Sequence, residues 1–299
     1  MPEYHNPVLL HECMQALNLK GNGKYVDVTF GGGGHSAEIL KQLTTGKLLA
    51  FDRDTDALNN KPADNKLTLV HQNYAQLHNW ADYYDFTPID GLLGDLGVSS
   101  HQFDTAERGF SFRFDAELDM RMNTTTGITA ADIINNYSPE ELKRIFKEYG
   151  EIQQANRLVD LINQTRLITK ITTTKQLTAI VMPMVFKPKQ AQFFAQLFQA
   201  LRIEVNNELD SLKKMLEASL TILKPGGRLV IMSYHSLEDR LVKNFMRTGN
   251  FAGDVHKDFF GNILTPFEQI TRKPIEPIDA EVAVNNRARS AKLRVAQKI

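Results

Sequence analysis

Four consecutive glycines, Gly31–Gly34, separate the run Tyr25-Val-Asp-Val-Thr-Phe30 from a stretch with helical spacing over residues 36–43. A β-branched and aromatic run cut by glycine reads as a buried strand. Ala37, Ile39, Leu40 and Leu43 supply the inner face of the helix that follows. A strand, a glycine turn and a helix start let the backbone approach a ligand closely and tolerate positive φ. The rhythm then repeats. Residues 48–51, closed by Asp52, and residues 67–71 and 89–96 read as strands, and residues 74–84 as a helix. Alternation at this spacing predicts a parallel sheet with crossover helices.

From 106 to 206 the pattern changes, and no strand is readable. Ser138-Pro-Glu-Glu141 is a helix start: Ser138 caps, Pro139 opens the first turn, and Glu141 completes a capping box. Leu142, Ile145, Phe146 and Tyr149 follow at helical spacing until Gly150. Residues 173–185 and 190–203 also read as helices. Phe193, Phe194, Leu197, Phe198 and Leu201 share one broad face of the second, which reads as core packing. The α/β pattern resumes at Asn207, with an amphipathic helix over 209–223, a break at Lys224-Pro-Gly-Gly227, a strand over 228–233 and a helix over 235–246. Residues 248–285 look irregular. The expected fold class is α/β: a Rossmann-like domain built from residues 1–105 plus 207–299, interrupted by an inserted all-helical domain, 106–206.

Hydrophobic residues at 42% and charged residues at 23% exclude wholesale disorder for this 299-residue chain. Its apolar runs fall far short of the ~18 residues of a membrane span. Residues 1–10 lack the charged and apolar regions of a signal peptide. A single cysteine, Cys13, excludes an internal disulfide and a multi-cysteine zinc site. These features predict a soluble cytoplasmic protein with no membrane partner and no metal. Zero net charge hides an asymmetry: residues 1–105 carry 7 Lys+Arg against 13 Asp+Glu, and residues 207–299 carry 15 against 11. The last fifteen residues hold Arg287, Arg289, Lys292, Arg294 and Lys298 and no acid. That fits a face presented to an anionic polymer; a solvated basic tail fits the composition equally.

Asp52 follows Gly34 by 18 residues, where a carboxylate can accept from both hydroxyls of a ribose. Arg53 beside it would suit a dinucleotide 2′-phosphate. Three other features point to S-adenosylmethionine: Asp27 inside the strand before the glycines, Asp95 within Gly94-Asp-Leu-Gly-Val-Ser-Ser100, and the turn Leu223-Lys-Pro-Gly-Gly-Arg-Leu-Val230 before a late strand.

On these and further motifs the chain resembles the RsmH (MraW) family, bacterial methyltransferases that modify N4 of a decoding-centre (P-site) cytidine in 16S ribosomal RNA. The motifs are His5-Asn-Pro-Val-Leu-Leu10, Thr29-Phe-Gly-Gly-Gly-Gly-His-Ser36, Phe51-Asp-Arg-Asp54, Gly94–Ser100, Arg108-Gly-Phe-Ser-Phe112, Leu118-Asp-Met-Arg-Met122, Ser233-Tyr-His-Ser-Leu-Glu-Asp-Arg240 and Asn286-Arg-Ala-Arg-Ser-Ala-Lys-Leu-Arg294. The resemblance implies S-adenosylmethionine as cofactor and 16S rRNA in the small ribosomal subunit as partner, with a homodimer left open. Carried over by position, the cofactor contacts are Gly33, Gly34, His35, Asp52, Tyr74, Asp95 and Gln102. The chain departs from the family at Gln192-Phe-Phe-Ala-Gln196, where relatives often carry a basic residue, and at Asn285-Asn286-Arg287, where they often have Asn-Pro-Arg.

The Asn/Asp-Pro-Pro-Tyr/Phe signature of many amino-methyltransferases is absent. Asp95 is the nearest candidate to accept a proton from the amine, or else it holds the methionine part of the cofactor. Phe110, Phe112 and Phe114 could stack on a splayed base or form core. His235, Arg287, Arg289, Lys292 and Arg294 are the candidate RNA contacts. An NAD(P)-dependent oxidoreductase and a non-catalytic RNA-binding protein are the rival readings.

Overall fold

The computed structural model describes residues 7–299, so His5 and Asn6 of the N-terminal motif lie outside the described residues. The chain divides into two compact units, Met1–Gly97 with Leu209–Ile299, and Val98–Glu208.

In the first unit, seven strands among the described residues form one sheet in the order β3-β2-β1-β4-β5-β7-β6. They are β1 (Lys24–Asp27), β2 (Lys47–Asp52), β3 (Leu67–His71), β4 (Ile89–Asp95), β5 (Leu223–Ser233), β6 (Phe267–Gln269) and β7 (Lys292–Lys298). β1 to β5 pair in parallel, and β7 runs antiparallel to both of its neighbours. Side chains alternate between two buried clusters. Tyr25, Leu48, Ala50, Leu93, Val230 and Met232 belong to one, and Val26, Leu49, Phe51, Leu92, Leu229 and Ile231 to the other. Apolar residues on both sides of the period-2 pleat mean that both faces of the sheet are covered, which requires flanking helices. Five parallel strands with a reversed β7, covered on both faces, make the Rossmann-like α/β class expected.

The helices of this unit are α1 (Leu10–Leu17), α2 (Gly34–Gln42), α3 (Thr55–Leu58) and α4 (Leu77–Tyr83); those of the second are α5 (Ser100–Asp104), α6 (Ala130–Asn136), α7 (Pro139–Glu148), α8 (Ala155–Arg166), α9 (Thr174–Val181) and α10 (Gln190–Asn206). The chain then returns through α11 (Glu208–Ile222), α12 (Ser236–Thr248) and α13 (Asp279–Val284).

Several elements depart from the sequence reading, each for a local reason. The regular part of β1 ends at Asp27, whose carboxylate accepts from Thr29 N at 3.0 Å and from Ser36 Oγ at 2.6 Å, but the chain stays on the sheet to Phe30: Val28 N donates to Leu93 O at 2.9 Å and Phe30 N to Phe51 O at 2.8 Å. β5 begins at Leu223. Ile89 pairs with Leu223 and Gly91 with Arg228, so Lys224–Gly227 bulges out without ending the strand. The Lys224 ammonium pairs with Asp90 beneath that bulge. Residues 248–285, expected to be irregular, contain β6 and α13.

The second unit is helical, with one isolated bridge between Glu117 and Thr173. α7 has the capping box read from Ser138 and Glu141, with Pro139 in the first turn. α9 ends at Val181, ahead of the expected 185, because Met182-Pro-Met184 tightens into a 3-10 turn. Phe194, Leu197, Phe198 and Leu201 are buried as expected. Phe110 is also buried, and Phe112 packs 5.6 Å from the Phe194 ring and 5.7 Å from Phe198. These two rings are core of the helical unit. Two of the family motifs interlock beside them. Arg108 Nη2 donates to the carbonyls of Arg121 and Met122, while Asn206 accepts from Met122 N at 2.8 Å and donates to Met120 O at 2.7 Å.

Candidate active site

In the first unit the strand order reverses between β1 and β4, and open α/β sheets take ligands at the carboxyl ends of strands beside such a switch. Asp27, Asp52 and Asp95 are the last residues of β1, β2 and β4, and Tyr234 follows β5 directly.

The glycine turn is built against its surroundings. Gly33 has φ 78, and a Cβ there would stand 3.0 Å from the Phe30 ring. Gly34 opens α2 and rests on the ring of Pro7, leaving no room for a side chain. Gly31 N donates to Asp52 Oδ2 at 2.7 Å, and Asn60 Nδ2 donates to Gly31 O at 3.1 Å. Asp52 Oδ1 accepts from Asp54 N at 2.8 Å. Each Asp52 oxygen holds one amide and keeps a second lone pair. Burial pushes Asp52 up to about 6 against the opposing pull of those amides.

Asp27 is fully enclosed. Burial raises its carboxyl, and Ser36 and Thr29 pull it back. It ties the strand to the helix across the turn. Thr29 extends the link, since its Oγ1 accepts from Asp95 N at 2.7 Å. The Asp95 side chain is 25% exposed. Its Oδ1 accepts from the Tyr234 hydroxyl at 2.8 Å, and its Oδ2 lies 3.9 Å from His35 Nδ1. Burial raises Asp95 to about 6; His35 and the Tyr234 hydrogen bond oppose the rise. His35 Nε2 is 3.1 Å from the Val8 carbonyl.

Gly33, Gly34, His35, Asp52 and Asp95 therefore gather along one sheet edge. Tyr74 begins a 3-10 turn after β3, capped by the Asn73 side chain, with its ring against the core. Gln102 lies in the second unit. It is buried, and its Oε1 accepts from Ser99 N in the capping box of α5.

The candidate RNA contacts divide. His235 is the N-cap of α12; its ring is nearly enclosed, with Nε2 3.3 Å from Glu238 Oε1. Its place is that of a helix cap. Arg294 is the clear correction. It lies in β7, 5% exposed, with Nε donating to Asp239 Oδ1 at 2.6 Å and Nη2 to Oδ2 at 3.1 Å. A guanidinium so enclosed serves the sheet and has no free donor face for a phosphate. Lys292 is partly exposed, 4.0 Å from Asp239, and Arg289 is exposed. Sequence reasoning missed Thr29 and Tyr234 as partners of Asp95. The signal for Tyr234 was its place in the Ser233–Arg240 motif.

The model of the MraW methylase family matches residues 3–299. Proteins named ribosomal RNA small subunit methyltransferase H are similar over 99% of this chain: that of Parabacteroides distasonis is 53% identical and covered over 98% of its length, and that of Bacteroides fragilis is 52% identical and covered over 97%. The crystal structure of an rRNA methylase from Streptococcus thermophilus is 13% identical, with a TM-score of 0.43 and coverage of 97% of this chain and 93% of that one.

Proposed function

We propose, from the premise that this chain belongs to the MraW methylase family and is an S-adenosylmethionine-dependent rRNA methyltransferase, that its methyl acceptor is the N4 amine of a decoding-centre (P-site) cytidine in 16S rRNA. The observation that carries the reading is Asp95, a carboxylate at the switch of the sheet with part of its side chain open and one oxygen already held. The N4 lone pair of cytosine is delocalised into the ring, and a carboxylate accepting from the amine is the natural pairing.

The residues present fit the cofactor. A turn that admits no Cβ at Gly34 lets the main chain approach closely, and Asp52 keeps lone pairs for two ribose hydroxyls. Gly33, Gly34, His35, Asp52 and Tyr74 would hold it. When bound, the cofactor supplies an electrophilic methyl group on a sulfonium sulfur. Asp95 orients the amine and takes its proton.

The helical unit, Val98–Glu208, serves RNA recognition, and Arg287, Arg289 and Lys292 hold phosphates flanking the base. The base is presented outside a duplex, because A-form helices hide the cytosine edge in a deep, narrow groove. The test is mass-spectrometric mapping of cytidine methylation in 16S rRNA from cells with and without the protein, together with transfer from labelled cofactor to small subunits. One N4-methyl mark that appears only with the protein supports the reading; a mark on another atom, or none, overturns it.

A further inference from the structure

Tyr234, whose hydroxyl holds one oxygen of Asp95, is itself fixed on three sides. Its main-chain N donates to Glu238 Oε2 at 3.1 Å. Its ring lies beside Gly97, where an added Cβ would stand 3.7 Å from Cδ2. Its hydroxyl donates to Asp95 Oδ1 at 2.8 Å. Burial, with Asp95 next, pushes the phenol well above its ordinary range, so the hydroxyl keeps its proton and stays a donor. The other Asp95 oxygen, Oδ2, faces His35 Nδ1 at 3.9 Å. His35 Nε2 lies on the Val8 carbonyl, which can only accept, so Nε2 carries hydrogen and Nδ1 is the nitrogen turned toward Asp95. The two oxygens of one carboxylate are thus inequivalent: Oδ1 is engaged and Oδ2 is open.

We infer that Tyr234 is a positioning residue for methyl transfer: by holding Oδ1 it presents Asp95 Oδ2, beside His35 Nδ1, as the atom that takes the proton of the acceptor amine. The inference rests on the proton role proposed for Asp95. The atoms balance. The S–CH3 bond breaks with its pair on sulfur, the N–C bond forms from the amine's own pair, and the N–H pair returns to nitrogen as the proton moves to Oδ2. Charge is conserved, with the sulfonium lost and the carboxylate neutralised.

The electrostatic surroundings give the phenol a measurable task. A hydrogen bond to the ionised form favours that form, so Tyr234 works against the burial that raises Asp95. His35 also favours the carboxylate. Asp27 and Glu238 face it with like charge, and the buried Cys13 thiol, itself pushed up, stays protonated. Removing the phenol hydroxyl leaves Asp95 to the burial and to its two acidic neighbours.

The experiment compares wild type with Tyr234→Phe on the full chain, with small ribosomal subunits as substrate. The expected result is a kcat lowered about tenfold or more, a KM for the cofactor within about twofold, and an acid limb of the kcat profile moved about one pH unit upward. An NMR titration of the Asp95 carboxyl in the free protein should rise by the same amount. If Tyr234→Phe fails to fold, a fluorinated tyrosine at position 234 keeps the shape with a stronger donor, and the limb should move down instead. An unmoved limb in either protein, or a loss confined to cofactor KM, overturns the inference. Asp95→Asn separates the two readings. If it keeps wild-type kcat, the proton role of Asp95 falls; if it is inactive while Tyr234→Phe keeps both kcat and limb, only the role of Tyr234 falls.

Discussion

Two sets of enclosed charge sit in the same α/β unit and are treated in opposite ways. At the ends of β1, β2 and β4, Asp27, Asp52 and Asp95 are held by amides and hydroxyls, and burial raises all three. Between β7 and α12, Asp239 meets Arg294 through two charge-assisted hydrogen bonds. The second arrangement is self-contained: each charge has its counter-charge, and removing one strands the other. The first is open-ended. Neutral donors orient the carboxylates without cancelling them; Asp27 is fully enclosed, but Asp52 and Asp95 are left able to take up a cofactor hydroxyl or a substrate proton. Charge that a fold leaves uncancelled at a strand end marks where a ligand belongs; charge cancelled by a guanidinium marks architecture.

The comparison breaks most sharply at Asp95. Asp95→Asn should lower methyl transfer on the order of 10²-fold or more while leaving the melting temperature at neutral pH unchanged or higher, read by labelled-cofactor transfer and by calorimetry. Arg294→Met should do the reverse. It should destabilise the protein by about 3–5 kcal/mol through the stranded Asp239, with cofactor affinity intact in the molecules that remain folded; a denaturant titration checks it, and Arg294→Met combined with Asp239→Leu should recover much of the loss. Loss of stability at Asp95 and of chemistry alone at Arg294 would invert the comparison.

Asp52→Ala should weaken S-adenosylmethionine at least roughly tenfold, since two hydrogen bonds to a carboxylate contribute ~1.5–3 kcal/mol each; isothermal calorimetry decides. The pH dependence is gentler. The folded-state value for Asp52, about 6, lies above its ordinary 3.8, so the native state holds the proton longer than the unfolded chain. Its contribution to stability is fully present below pH ~4 and is lost as pH rises toward ~6. Asp52→Asn keeps only one of the two amide bonds, so it should be less stable than wild type near pH 4 and gain about 1–2 kcal/mol relative to it above pH 6, a figure reduced from the full shift because the side chain is partly exposed. Smallest is the phosphate term: Arg287→Ala with Arg289→Ala should reduce the salt slope of subunit binding by ~0.7–0.9 per contact.

Some elements with local stabilisation were readable from sequence, though α6, boxed by Thr129 and Asp132, was not. The short apolar runs of β2 and β3 announce strands, and the Ser138–Glu141 box announces α7. α1 escaped notice because its N-cap, Leu9, adopts a left-handed conformation with no side-chain cap, and α8 likewise starts at Gln154 without one. At the site, Gly33, Gly34, Asp52 and Asp95 carry their chemistry in residue type and spacing. Arg294 does not: beside Arg287 and Arg289 it looks like one more cation of a basic tail, and only pairing across 55 residues with Asp239 discloses a strand. Tyr234 was hidden for the same reason, its partner lying 139 residues away.

The place of β7 also governs the order in which the sheet can be completed. β6 is made before β7 but reaches the sheet only through it, and the outer edge of β5 waits for the same segment. A ribosome that has synthesised the chain as far as Arg272 has exposed β5 with Leu229, Val230, Ile231 and Met232 on an open edge, and a β6 with no neighbour. Long unpaired edges recruit other chains. The interval between the synthesis of β5 and of Lys292–Lys298 is thus when this protein is most exposed to aggregation, and a chain halted before Lys292 would remain in that condition.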